Sequence, residues 1–272
     1  MLLTDRTLFA AAIALCALAA GRAAFLWRRG FSRDDWWCYG LLCLALIPAA
    51  GAMLARGFSL QRCPVTNLFE AIMFLVWAML GCHVAVGFIS RLRFLSALAA
   101  PLLVALGVFG LQPGLDQPAP VLDLSRGLVS LHAALILLAY GTFGLSAAAA
   151  LMFLAQERNL KLHKLRAVLS LLPSIERLSK VVVDALAVGL ALLTVGLVLG
   201  IPLVRATKEA PVRGDPKVLW SVLVWGIYLA LLISRTGLRR GPRWMAWGSA
   251  LTFAFVILTF WGTNLLSPLH QN

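Results

Sequence analysis

The sequence predicts an all-α membrane protein, a polytopic helix bundle with about eight transmembrane helices and both termini on the outer side. Three observations lead there. Hydrophobic residues make up 61% of the chain and charged residues 13%, with a mean hydropathy of +0.89, a balance foreign to water-soluble domains. The apolar residues fall into eight runs, most near the ~20 residues that a helix needs to cross the hydrocarbon. Basic residues collect in alternate connections, the pattern of cytoplasmic loops.

The first run, 8–27, has small residues at Ala19, Ala20 and Gly21 that faintly suggest a signal-peptide cleavage site. Its positive cluster, Arg28, Arg29 and Arg33, follows the apolar run instead of preceding it, which predicts a retained helix with an external N-terminus. Arg22 is placed to snorkel from its inner end. The second run is 36–55. The third, 68–90, opens on Asn67 and Glu70, read either as a helix cap or as functional groups. The fourth, 94–110, is short and contains Pro101. The fifth, 129–154, follows a turn-rich segment, 111–128, where Pro113, Pro118 and Pro120 oppose a long helix, and it opens close to His132. The sixth, 181–204, has Asp184 near its inner end as a possible cap. The seventh, 218–234, follows Asp215-Pro216-Lys217 and contains Trp220 and Trp225; the eighth, 244–266, leads outward to His270. Little chain remains, so residues 1–272 are expected to form a single integral membrane domain.

The net charge of +13 resembles that of a nucleic-acid binder, but its distribution excludes one. The predicted inner connections contain fifteen basic residues, including Arg91, Arg93, Arg158 to Lys180 and Arg235 to Arg243, against eight in the outer segments, among them Arg56. The partner implied is the bilayer. Five cysteines without a Cys-x-x-Cys pair argue against a zinc site or thiol relay. There is no phosphate-binding glycine loop, no nucleophile elbow and no internal repeat.

What remains is a pair of histidines. His132 and His270 are predicted at the same depth on the outer side, and imidazole is a common iron ligand, so together they are candidate axial ligands of a haem. The plainer reading, a solvated or hydrogen-bonded interfacial histidine, stands beside it. His163 reads as surface, and His83, deep in the third run, as either a structural hydrogen bond or a functional group.

Several segments resemble the cytochrome c assembly family of haem-handling membrane proteins (the CcsA/ResC type) and its shorter HemX/YpjD-type relatives. Asn67-Leu68-Phe69-Glu70-Ala71 resembles the family's Asn-Leu-Tyr-Glu-Ser, and Ser130-Leu131-His132 with Ala139-Tyr140 resembles the span with an external haem-ligating histidine. Leu192-Leu193-Thr194-Val195-Gly196 is similar to Leu-Leu-Thr-Ile-Gly. Asp215-Pro216-Lys217-Val218-Leu219-Trp220, continuing to Trp225, is similar to Asp-Pro-Lys-Glu-Thr-Trp and a second tryptophan. Trp261-Gly262-Thr263-Asn264-Leu265-Leu266 with Leu269-His270 is similar to Phe-Gly-Val-Asn-Leu-Leu and Gly-Leu-His. One departure is visible. The family's Trp-Gly-x-x-Trp-x-Trp before Asp-Pro-Lys is absent from Ala206 to Gly214, as in the shorter relatives.

The resemblance implies a multi-pass protein of the cell inner (cytoplasmic) membrane that holds haem b transiently at its external face for delivery to apocytochrome c, with a membrane partner subunit. His132 and His270 would be the metal ligands, with Trp220, Trp225 and Asp215 also at the cofactor. Arg205, Lys208, Arg213 or Lys217 would pair with the propionates. It implies membership of a cytochrome c synthase (haem lyase) complex, and leaves open whether this chain is itself catalytic. The alternative is a non-catalytic HemX/YpjD-like subunit or regulator. A transporter ranks last, because midplane polar pairs and broken helices are scarce.

Overall fold

The computed structural model describes residues 4–29, 36–61, 63–65, 67–89, 93–116, 127–161, 175–206 and 216–266. Within them are eight α-helices: α1 Asp5–Arg29, α2 Trp36–Leu60, α3 Leu68–Ile89, α4 Ser96–Gly110, α5 Gly127–Lys161, α6 Ile175–Ala206, α7 Pro216–Thr236 and α8 Pro242–Leu266. Six of them, and α4 together with the 3₁₀ turn Arg93–Leu95 before it, are long and apolar enough to cross a membrane on their described residues, and α8 is 25 residues long. The chain is a polytopic helical bundle.

Successive helices run in opposite directions. Asp5 at the start of α1 meets Arg56 at the end of α2, Glu70 at the start of α3 and Asp116 just after α4. The start of α5 meets the late turns of α6, and Trp220 at the start of α7 meets Thr259 late in α8. At the opposite end Arg243 of α8 reaches Glu157 of α5. The two ends are called here the Asp5 end and the Arg243 end.

Local chemistry explains several boundaries. Asn67 caps α3, its Oδ1 accepting the Glu70 amide at 2.7 Å. Gln61, with φ 52°, stops α2 in the left-handed turn common after a helix. Pro216 and Pro242 occupy first helical positions, where the missing N–H costs nothing. Pro101 lies inside α4, which a 3₁₀ turn at Arg93–Leu95 lengthens toward the Arg243 end. Two expectations need correction. Helix α6 begins at Ile175, so Asp184 is an exposed residue in its third turn and not a cap. Helix α2 runs on to Leu60, so Arg56 is a helical residue and not part of a connection.

Helix α5 is the most enclosed, 78% of its apolar window being buried, and packs against α3, α6 and α8. Hydrocarbon offers no hydrophobic drive between helices, so close packing and interhelical hydrogen bonds must hold them together. Ser146 of α5 shows both, donating to the Val182 carbonyl of α6 at 2.8 Å and pairing with Ser249 of α8 at 2.8 Å. A ladder of rings follows the α5–α7 seam. Trp220 meets Tyr140 edge-on, Tyr140 meets Phe143, and Phe143 stacks on Tyr228 with centroids 3.7 Å apart.

Candidate functional site

His132 is the sixth residue of α5, at the Asp5 end, and faces α6. Its Nδ1 lies 2.6 Å from the Gly196 carbonyl oxygen. A carbonyl can only accept, so Nδ1 bears a proton. Metal-binding histidines commonly donate one ring N–H to a backbone carbonyl in this way. His270 and Asp215, the other predicted ligand and its polar companion, lie outside the described residues.

The two tryptophans are tied to threonines in parallel fashion. Trp220 donates its Nε1–H to Thr259 of α8 at 2.8 Å, and Trp225 donates to Thr194 of α6 at 2.9 Å. Each threonine hydroxyl in turn donates to the carbonyl four residues back, Phe255 and Leu190, at 2.7 Å. Together these bonds fasten α7 between its neighbours. Trp220 is buried against Tyr140, while Trp225 is half-buried. Trp225→Phe is expected to lower the melting temperature in detergent modestly, through the loss of about 1 kcal/mol. No drop in Trp225→Phe would show that the indole hydrogen bond contributes nothing, and a drop no larger in Trp225→Ala would show that the ring body adds nothing beyond it.

Sequence reasoning missed the strongest polar feature of this end. The Arg56 guanidinium is shared by three carboxylates: Asp5 at 2.9 Å, Glu70 at 3.1 Å and Asp116 at 2.6 Å, with a second contact to Asp116 at 3.4 Å. Asn67 also donates to Asp116, at 3.1 Å. Phe69 receives Arg6 and Arg56 against its ring, at 5.5 and 5.6 Å from its centroid. Glu70 is fully buried. The cap reading holds for Asn67, whereas the Glu70 side chain is an ion-pair partner. The signal was in the sequence: a lone arginine ending an apolar run, and carboxylates at three other span ends.

His83 is a structural residue of the other half. Ser96 donates to the Arg93 carbonyl at 2.6 Å, so its oxygen accepts from His83 Nε2 at 2.9 Å. A small apolar cavity of about 40 Å³ lies between α3, α4, α5 and α8, lined by Leu68, Leu106, Leu137 and Tyr140 among others. It is far below the several hundred Å³ of small-molecule sites, so these residues serve packing.

Comparison with known proteins identifies the family. The profile of the family described as Cytochrome C assembly protein matches residues 65–270. The chain is similar to the cytochrome c biogenesis protein CcsA of Gloeobacter violaceus, at 24% identity over 85% of each chain. It is similar to CcsA of Guillardia theta, at 24% identity over 86% of this chain and 84% of the other. Protein HemX of Brevibacillus brevis is 26% identical over 82% of this chain and 83% of its own length.

Proposed function

The chain belongs to the cytochrome c assembly protein family, and from that premise we propose that it holds haem b at the Asp5 end through His132 and His270, for delivery to apocytochrome c. The coarser role, in cytochrome c maturation at a membrane, follows from the family itself. One observation supports the finer reading most: the His132 ring donates through Nδ1 to the Gly196 carbonyl, the kind of bond that orients a metal-binding imidazole. The chemistry of the His132 imidazole suits a haem iron. In this reading the Asp5 end is the external face of the cytoplasmic membrane. The basic residues gathered in connections at the Arg243 end support that orientation.

Each residue has a stated task. His132 and His270 would hold the iron. Trp220 and Trp225 would lie near the macrocycle or support it, and Asp215 would also belong to the cofactor site. Arg205, Lys208, Arg213 or Lys217 would pair with the propionates by charge-assisted hydrogen bonds. When bound, the haem supplies the group that apocytochrome cysteines receive. This chain would hold it, and a second membrane subunit would receive the apocytochrome.

The test is the absorption spectrum of detergent-purified protein loaded with haemin. The His132→Ala/His270→Ala double variant is expected to lose the low-spin spectrum of the parent. Retention of that spectrum unchanged refutes the assignment. A second reading, a HemX-like subunit without haem-attachment activity, is favoured by the absence of tryptophan from Ala206 to Gly214. A deletion strain separates the two, because loss of all c-type cytochromes supports delivery and normal levels support the subunit.

A further inference from the structure

We propose that α6 is the positioning element for the His132 imidazole, with the Gly196 carbonyl selecting its tautomer and Gly200 seating its ring, so that Nε2 is the nitrogen presented to a haem iron. The proposal rests on the haem reading above and specifies which atom does the binding and what sets it.

Gly196 and Gly200 are four residues apart and therefore share one face of α6. The Gly196 oxygen has two lone pairs, so it can serve its own helix and still accept the imidazole N–H at 2.6 Å. Gly200 approaches the Cε1–Nδ1 edge of the same ring. A Cβ on Gly200 would stand 2.7 Å from His132 Cε1 and 3.1 Å from Nδ1. Any side chain there must turn the imidazole, and turning it stretches the bond to Gly196. Both contacts act on the δ side of the ring, so the α6 backbone fixes the tautomer and the plane together. A carbonyl-bound N–H also makes the imidazole a stronger donor, which favours the oxidised iron and lowers its potential.

Gly189, lower on α6, provides the control. A Cβ there would meet Phe143 Cε1 at 2.5 Å and Thr142 Oγ1 at 2.5 Å, crowding the α5–α6 seam without touching His132. Haemin titration is expected to show about ten- to a hundred-fold weaker binding for Gly200→Ala, with an upward shift in midpoint potential. Gly189→Ala is expected to leave the potential unchanged whatever it does to thermal stability. Equal shifts in both variants, or none in Gly200→Ala, overturn the proposal. An independent measurement needs neither glycine variant nor haem. In the ¹⁵N spectrum of histidine-labelled protein, the resonance lost in His132→Gln is expected to be that of a δ-protonated ring. An ε-protonated ring overturns the proposal, and this decides the matter if Gly200→Ala does not fold. Wild-type protein that binds no haemin but shows the δ-protonated ring would refute the haem reading and leave the positioning of the imidazole standing.

Discussion

Arg56→Met is expected to destabilise the bundle by about 3–5 kcal/mol, among the largest single-residue effects in this chain. The wild-type guanidinium is surrounded by three carboxylates from α1, α3 and the segment after α4. Methionine fills similar space but leaves Asp5, Glu70 and Asp116 facing one another, with Glu70 out of contact with water. The loss comes from stranded charge more than from any net strength of the original pairs, which desolvation largely offsets. That distinction can be measured. Adding Glu70→Gln to Arg56→Met should recover part of the lost melting temperature, because it neutralises the most deeply buried carboxylate. Glu70→Gln alone should cost less than Arg56→Met. Arg56→Lys should fall between, since a lysine cannot reproduce the two-toothed hold on Asp116 while reaching Asp5 and Glu70. If Arg56→Met melts within a degree or two of the parent, the cluster is not what joins these helices.

The second large effect is expected at Phe143. Its ring is fully buried and lies nearly parallel to Tyr228, the planes 11° apart. Phe143→Ala should cost about 3–5 kcal/mol by opening a cavity that α5 and α7 cannot close. In lipid the loss is one of contact and dispersion, because the alternative environment is equally apolar. Tyr228→Phe gives the contrast. The Tyr228 hydroxyl is buried and has no hydrogen-bond partner among the described residues. Removing it keeps the stack and discards an unsatisfied polar atom, so stability should be unchanged or slightly higher. Heating detergent-solubilised protein and measuring the folded fraction by size-exclusion chromatography checks both, and a Tyr228→Phe variant as damaged as Phe143→Ala would disprove the packing argument.

Much of this fold could be read from the sequence because membrane helices declare themselves locally. Eight apolar runs became eight helices, with boundaries mainly displaced outward into polar residues that hydropathy does not score. Helix α5 gained Glu157 and Arg158 in this way, and α6 gained Glu176 and Arg177. The site was less legible for a physical reason. A histidine's depth follows from span assignment, but its neighbour across a helix seam does not. Nothing in 129–154 alone indicates that His132 would meet Gly196, 64 positions away. The Arg56 cluster was hidden for the same reason, its four members lying on segments that only assembly brings together. Trp220 and Trp225 were found by resemblance, while their threonine partners follow only from how α7 sits between α6 and α8.

The length of α5 has a mechanical consequence. At 35 residues it extends about 50 Å, well beyond the ~30 Å hydrocarbon layer. His132 sits near one tip of this rod, and Glu157, joined to Arg243 of α8, sits near the other. A pivot of about 5° about either tip would carry the opposite one through roughly 4 Å, more than the length of a hydrogen bond. Packing against α3, α6 and α8 holds this rod against such a tilt, so the same contacts that bury α5 also keep its two ends in register.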